Sequence, residues 1–307
     1  MNYLVFAAAI LMTTTFNSTY NLLGKKRLTG NAGRFLCLTC VFAGGAAAML
    51  FFIFPGFSLE PYTLLMGVVF GVVLVANNAF LIYSLSIGPL ALVNLIVSCS
   101  MLIPAFSGFL FWNEKVSVPQ LAGVVLMVIT LVLCADVFGG KTSKGSRRWL
   151  AVSLFTAVLT GSLGVVQKIF QTSGNMGESS EFVAVSFVTG SLGALVMFLV
   201  FKNKEAQKEQ KEQKEQKEPS RPLKVDFWVI ALGAGALLGV LNVMNMYLID
   251  VFPALLFFPV YHGGNILLSA LSGRLIFKEK MSLAQTIGFF TGIAAILLLG
   301  NILDLFF

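Results

Sequence analysis

Ten runs of apolar residues, each long enough to cross a bilayer as a helix, follow one another along this chain. They lie at approximately 3–23, 33–54, 63–86, 89–112, 118–137, 149–170, 182–201, 226–248, 252–276 and 283–303. A helix of about 20 such residues spans the roughly 30 Å of hydrocarbon and satisfies its own backbone groups while doing so. The runs take up most of the 307 residues, and the segments between them are too short for a separate soluble domain. Composition agrees. The chain is 57% hydrophobic and 11% charged, where a soluble domain carries about a quarter charged residues. The sequence therefore predicts an all-α membrane protein of ten transmembrane helices. The first run reads as a retained helix rather than a secretory signal, because Met1-Asn2-Tyr3 offers no basic n-region and Lys25, Lys26 and Arg27 follow the apolar segment.

The net charge of +7 is distributed as membrane loops distribute it. Of the 21 Lys and Arg residues, 19 lie at the connections after the first, fifth, seventh and ninth runs, and only Lys115 and Lys168 lie on segments of the other parity. The positive-inside rule then predicts a multi-pass protein of the cell membrane, with the basic loops cytoplasmic and both termini extracytoplasmic. The segment Lys204–Glu218, which ends in KEQKEQKEQKE, does not create this bias, since its five Lys are matched by five Glu, and 14 basic residues against 2 remain without them. Its period of three smears charge around any helix, which favours a solvated linker over a partner-binding tail.

The chain also repeats itself. At an offset of 165, Leu102–Gly123 aligns with Leu267–Gly288, and ten of the 22 positions are identical, where average residue usage gives about two by chance. The polar identities are Glu114 with Glu279, Lys115 with Lys280, Ser117 with Ser282 and Gln120 with Gln285. A second match, at an offset of 167, sets Asn78 and its four successors against Asn245 and its own. Each half holds five runs, and five is odd, so two like halves must enter the membrane in opposite senses. The expected organisation is a first five-helix repeat at 1–137, a cytoplasmic connection at 138–148, and a second repeat at 149–307 with a charged low-complexity loop at 202–224. Inverted repeats of this kind characterise secondary transporters, whose substrate site lies near the midplane where the halves meet.

Ten spans, the five-plus-five duplication, and the loop pattern hydrophobic-x-Glu-x-x-Ser-x-x-Gln-x-x-Gly, at Glu114 to Gly123 and again at Glu279 to Gly288, resemble the EamA-type family of the drug/metabolite transporter superfamily. The resemblance covers nearly the full chain. It implies transport of a small metabolite or lipophilic compound through a cavity lined by spans 1–4 and 6–9, with spans 5 and 10 at the periphery. Three features depart from the family pattern. Asn113 and Lys278 stand where a Gly usually precedes the loop Glu, Met101 and Ile266 stand where a mid-span Pro is usual, and many members place both termini in the cytoplasm.

Polar side chains in hydrocarbon are costly unless they face the bundle interior. This nominates a substrate-binding set: Asn17, Tyr20 and Asn21 in the first span, on one face with Thr13; Asn78 and Tyr83 in the third; Asn94 and Ser98 in the fourth; Asn245 in the eighth; and Tyr261, His262 and Asn265 in the ninth. The ordinary alternative for any one of them is a hydrogen bond between helices. His262 is the single His, and it reads either as a titrating switch or as a neutral hydrogen-bonding side chain. Lys168, toward the end of the sixth run, reads as a snorkelling cation or a weaker partner for an anionic group.

The acidic residues all avoid mid-span, which disfavours a carboxylate-driven antiporter and a Na⁺ site built on Asp or Glu. An intramembrane enzyme would need clustered Asp or His, so the protein is not expected to be an enzyme. Cys37 and Cys40 lack a second pair to complete a zinc site and read as packing residues. Gly67-x-x-x-Gly71 and Gly288-x-x-x-Gly292 allow close helix approach, within the chain or, for the latter, across a dimer. The expected partners are a small-molecule solute and the bilayer, without nucleic acid, metal or cofactor, in a monomer or homodimer. A membrane scaffold without transport activity is the alternative function.

Overall fold

The structure is a computed structural model that describes residues 2–27, 30–53, 59–87, 93, 96–134, 147–174, 176–211, 225–275 and 283–299. Among the described residues there are ten α-helices and no strand: α1 Asn2–Arg27, α2 Gly30–Ile53, α3 Pro61–Ile87, α4 Leu102–Phe111, α5 Val118–Cys134, α6 Arg147–Thr172, α7 Ser179–Lys211, α8 Val225–Val251, α9 Ala254–Leu275 and α10 Leu283–Leu299. The protein is therefore all-helical, and five of its helices, α2, α3, α6, α7 and α8, are long and apolar enough to cross a membrane. Large apolar side chains such as Phe51, Phe111, Val229 and Phe290 point outward. An apolar exterior on this scale is untenable in water and suits a bilayer.

Two compact units divide the chain. One comprises Met1–Thr14, Ala76–Gly174 and Met244–Phe307, and the other Thr15–Val75 and Asn175–Val243. Each draws on both halves of the sequence, so the repeat is a relation between segments rather than a boundary between compact bodies. In the first unit α5 packs on α10, α4 packs on α6 and α9, and α9 also touches α5 and α10. Thr130 of α5 and Thr291 of α10 share a hydrogen bond at 3.1 Å. In the second unit α2 packs along α7, joined by the Phe42–Phe187 stack and by Ser191 Oγ donating to the Thr39 carbonyl at 3.3 Å. The pairs α2 with α7, α4 with α9 and α5 with α10 are those that correspond by position in the two halves.

Glycine sets the tightest crossing of the second unit. A Cβ on Gly235 of α8 would overlap the Val41 carbonyl oxygen, and one on Gly44 would overlap that of Leu232. Gly67 and Gly71 abut Val185, Ser186 and Thr189 of α7, and Gly292 abuts Thr130 and Leu267. These small residues thus serve packing within the chain. Cys37 and Cys40 are buried free thiols.

Two boundaries differ from the sequence reading. The seventh helix does not stop at residue 201 but continues through Lys211 into the segment expected as a loop. Lys, Glu and Gln are strong helix formers, so a helix already nucleated in the apolar run propagates into the KEQ repeat at little cost. In the fourth span a 3₁₀ turn at Cys99–Met101 precedes α4, with Ser100 and Met101 buried. That turn tightens the helix next to Ser98.

Candidate functional site

The repeated loop between α4 and α5 is built from short-range backbone and side-chain contacts. At the end of α4 the Gly108 carbonyl accepts from the Trp112 N–H at 3.1 Å and the Glu114 N–H at 3.2 Å. Between them Asn113 takes φ +50°, the left-handed region. Gly is the usual residue there, and Asn is the next most tolerant, which accounts for Asn113 at this turn. Three residues beyond Glu114, Ser117 Oγ accepts from the Gln120 N–H at 3.4 Å, while Gln120 Oε1 accepts from the Ser117 N–H at 3.0 Å. This reciprocal capping box starts α5. Gly123 then lets α10 approach, since a Cβ there would meet Leu299 at 2.8 Å.

Glu114 ties that loop to two other helices. Its Oε1 forms an ion pair with Lys168 Nζ at 2.9 Å, with both side chains mostly buried. Its Oε2 accepts the Ala254 N–H at 2.7 Å, at the first residue of α9. Lys168 Nζ also donates to the Ile249 carbonyl at 3.1 Å, in the last turn of α8. Anion on a helix N-terminus and cation on a C-terminus is the favourable arrangement for both helix dipoles. One buried pair therefore clamps the α8–α9 junction at Phe252–Pro253. Gly108 makes room for it, because a Cβ there would overlap Glu114 Oε2. The ion pair corrects the reading of Lys168 as a snorkelling or anion-binding cation. Its charge is neutralised inside the fold, by a carboxylate that lies far from it in the chain.

Deeper along α8 and α9 lies a polar cluster. Asn245 Nδ2 of α8 donates to the Tyr261 hydroxyl of α9 at 3.0 Å. The Tyr261 hydroxyl bonds Thr13 Oγ1 of α1, whose own proton goes to the Ala9 carbonyl at 2.8 Å. Close by on the same two helices, α1 and α9, Thr14 Oγ1 lies 3.0 Å from both Asn265 Oδ1 and the Ile10 carbonyl, which share its one proton. Tyr261 is buried, stacked with Phe257, and His262 meets its ring edge-on with centroids 5.6 Å apart. Asn245 Oδ1 is buried and has no hydrogen-bond partner among the described residues.

The structure thus brings together Asn245, Tyr261, His262 and Asn265 with Thr13, which the sequence already set on the polar face of the first span, and adds Thr14. Thr14 escaped the sequence reading because Thr is common in apolar helices and its back-bond to Ile10 makes it look locally satisfied. Tyr83 is exposed, with the Arg148 guanidinium 5.8 Å from its ring centroid. Asn78 is half-buried on α3, and Ser98 is half-buried beside the 3₁₀ turn. The neighbouring Asn77 accepts from Thr160 of α6 at 2.8 Å, in a ladder that also includes the Ser84–Thr156 hydrogen bond at 3.2 Å. Asn94 and the side chains of Asn17, Tyr20 and Asn21 lie outside the described residues, as do Glu279, Lys280 and Ser282 of the second loop.

No protein-family model matches the chain. It is 26% identical over 204 residues to an uncharacterized protein of Haemophilus influenzae (strain ATCC 51907 / DSM 11121 / KW20 / Rd), an alignment that covers 64% of this chain and 62% of that protein. The match therefore spans somewhat under two thirds of that relative's length. A protein crystal structure superposes on the chain with a TM-score of 0.74, covering 98% of each chain at 16% identity. At that identity the likeness is one of fold.

Proposed function

We propose that this protein is a polytopic membrane transporter of the EamA type. It moves a small organic solute by alternating access between two inverted halves of five membrane helices. The observation that carries the reading is the hydroxyl and amide cluster Thr13–Tyr261–Asn245 with Thr14–Asn265, drawn from three helices of an apolar bundle. Polar groups at such a place are retained for a pathway or a site. The pairing of position-equivalent helices, α2 with α7, α4 with α9 and α5 with α10, supports the inverted-repeat architecture. The loop after α4, the end of α6 and the α8–α9 junction meet at the Glu114–Lys168 pair. All three are connections of even parity, as ten alternating spans require, which leaves the lysine-rich connections for the cytoplasmic face.

The site has amides, hydroxyls and aromatic rings rather than charge, so a neutral or zwitterionic solute fits it best. The carboxylates of Glu114 and Glu178 serve helix ends: Glu178 Oε2 accepts the Glu60 N–H at the start of α3 at 3.1 Å, and Glu114 caps α9.

The test is solute uptake into proteoliposomes from a panel of amino acids, nucleosides and sugars. Wild-type protein should raise uptake of at least one class above protein-free vesicles. Asn245→Ala, Tyr261→Phe and Asn265→Ala should lower it. Unchanged uptake in all three would remove the site. No uptake of any probe would favour the alternative of a scaffold without transport activity.

A further inference from the structure

We infer that Asn245 Oδ1 is the acceptor that selects the solute, and that the solute is one presenting an N–H or O–H donor to it. The inference rests on the transport reading and deepens it.

Buried polar atoms in folded proteins are almost always paired, and an exception calls for a water, an ion or a ligand. Among the described residues only two buried side-chain polar atoms lack a partner: Thr63 Oγ1, on α3 in the other compact unit, and Asn245 Oδ1. The second belongs to a network whose proton directions are set. Thr13 spends its proton on the Ala9 carbonyl, so its oxygen receives the proton of Tyr261. The Tyr261 oxygen must then accept, and the Asn245 amide turns its NH₂ group toward it. Reversing the amide would leave two acceptors facing each other. Oδ1 is therefore held outward from the network, with no donor among the described residues to meet it. The Thr14 proton is likewise taken up, between the Ile10 carbonyl and Asn265 Oδ1.

The α8–α9 clamp adds preorganisation. Lys168 holds the carbonyl of Ile249, one turn beyond Asn245 on the same helix. Glu114 holds the N-terminus of α9, two turns before Tyr261. The acceptor is thus fixed on helices whose ends are pinned. An amide oxygen is uncharged, so it accepts from neutral hydroxyl, amide or amine groups and repels acceptors such as a bare carboxylate oxygen. Sites of this kind discriminate strongly against an analogue that lacks the matching donor, because binding it strands the buried acceptor.

The experiment uses the full chain in two assays, uptake into proteoliposomes and thermal stabilisation in detergent. The probes are leucine, uridine and glucose, each set against analogues in which single N–H or O–H groups are methylated. In wild type, methylating one donor of the responding probe should raise its half-saturating concentration at least ~10-fold, the scale on which such sites reject an analogue lacking the donor. Asn245→Leu should abolish that preference so that probe and analogue respond alike, and Asn245→Gln, which keeps both an amide donor for Tyr261 and an acceptor oxygen, should retain it. A donor preference that survives in Asn245→Leu, or none in wild type, overturns the inference. Asn245-dependent stabilisation without uptake overturns the transport reading alone and leaves the acceptor site standing. If no probe is taken up or stabilises the protein, both fall.

Discussion

A lysine inside an apolar bundle is stable only when its charge is answered, and Lys168 is answered twice, by Glu114 and by the Ile249 carbonyl. Removing one partner of a buried pair strands the other. Lys168→Met should therefore cost about 3 kcal/mol or more, read as a lowered melting temperature in detergent. Adding Glu114→Leu to it should recover part of that loss, because the double variant leaves no uncompensated charge. A double variant no more stable than Lys168→Met would refute the pair's role. Asn113 makes a second case. At φ +50° a β-branched residue is strained, so Asn113→Val should destabilise by about 1–2 kcal/mol while Asn113→Gly stays near neutral. Equal stability of the two variants would count against the left-handed turn. Neither role is legible in sequence. Lys168 lies 54 residues from Glu114, and its distance to a helix end is all that periodicity reports. Asn113 is visible there only as a departure from a pattern.

Among the helices, the repeated loop shows how a motif can be plain in sequence while its role stays hidden. Glu114, Ser117, Gln120 and Gly123 stand out because they recur, and each proves to build architecture: a clamp, a capping box and a helix contact. Loss of the N-cap in Ser117→Ala should cost about 1 kcal/mol, measurable by thermal or denaturant unfolding, with little effect on solute selectivity. A changed selectivity would place the loop in the pathway instead. Gly235→Ala should be far more damaging than Gly233→Ala, because the first drives a Cβ into the Val41 carbonyl and the second meets nothing within 4 Å. Expression and melting temperature of the two variants decide that. The polar stripes of α1 and α9 are also legible, since the spacing of Tyr261 and Asn265 puts them on one face. Which hydroxyls answer them is not, because Thr13 and Thr14 come from the opposite end of the chain.

For the whole molecule, the ten apolar runs carry most of the information. Each described run is a helix or part of one, with the fourth tightened by a 3₁₀ turn and the seventh prolonged past its apolar limit. Orientation is a further prediction at this scale. In a background where the four native cysteines are replaced, a cysteine inserted after Met1 should react with an impermeant thiol reagent in intact cells, and Lys204→Cys should react only after permeabilisation. The opposite pattern would invert the topology argued from charge. Hydropathy and charge are local properties with a long wavelength, and a linear sequence displays them directly; that is why the helical class, the repeat and the apolar exterior can be read from it alone. Which helices group into the two compact units, where the charge of Lys168 is quenched, and why the Asn245 amide oxygen meets no donor among the described residues depend on contacts between residues far apart in the chain. Only the folded backbone brings those residues within the roughly 3 Å at which hydrogen bonds and ion pairs act.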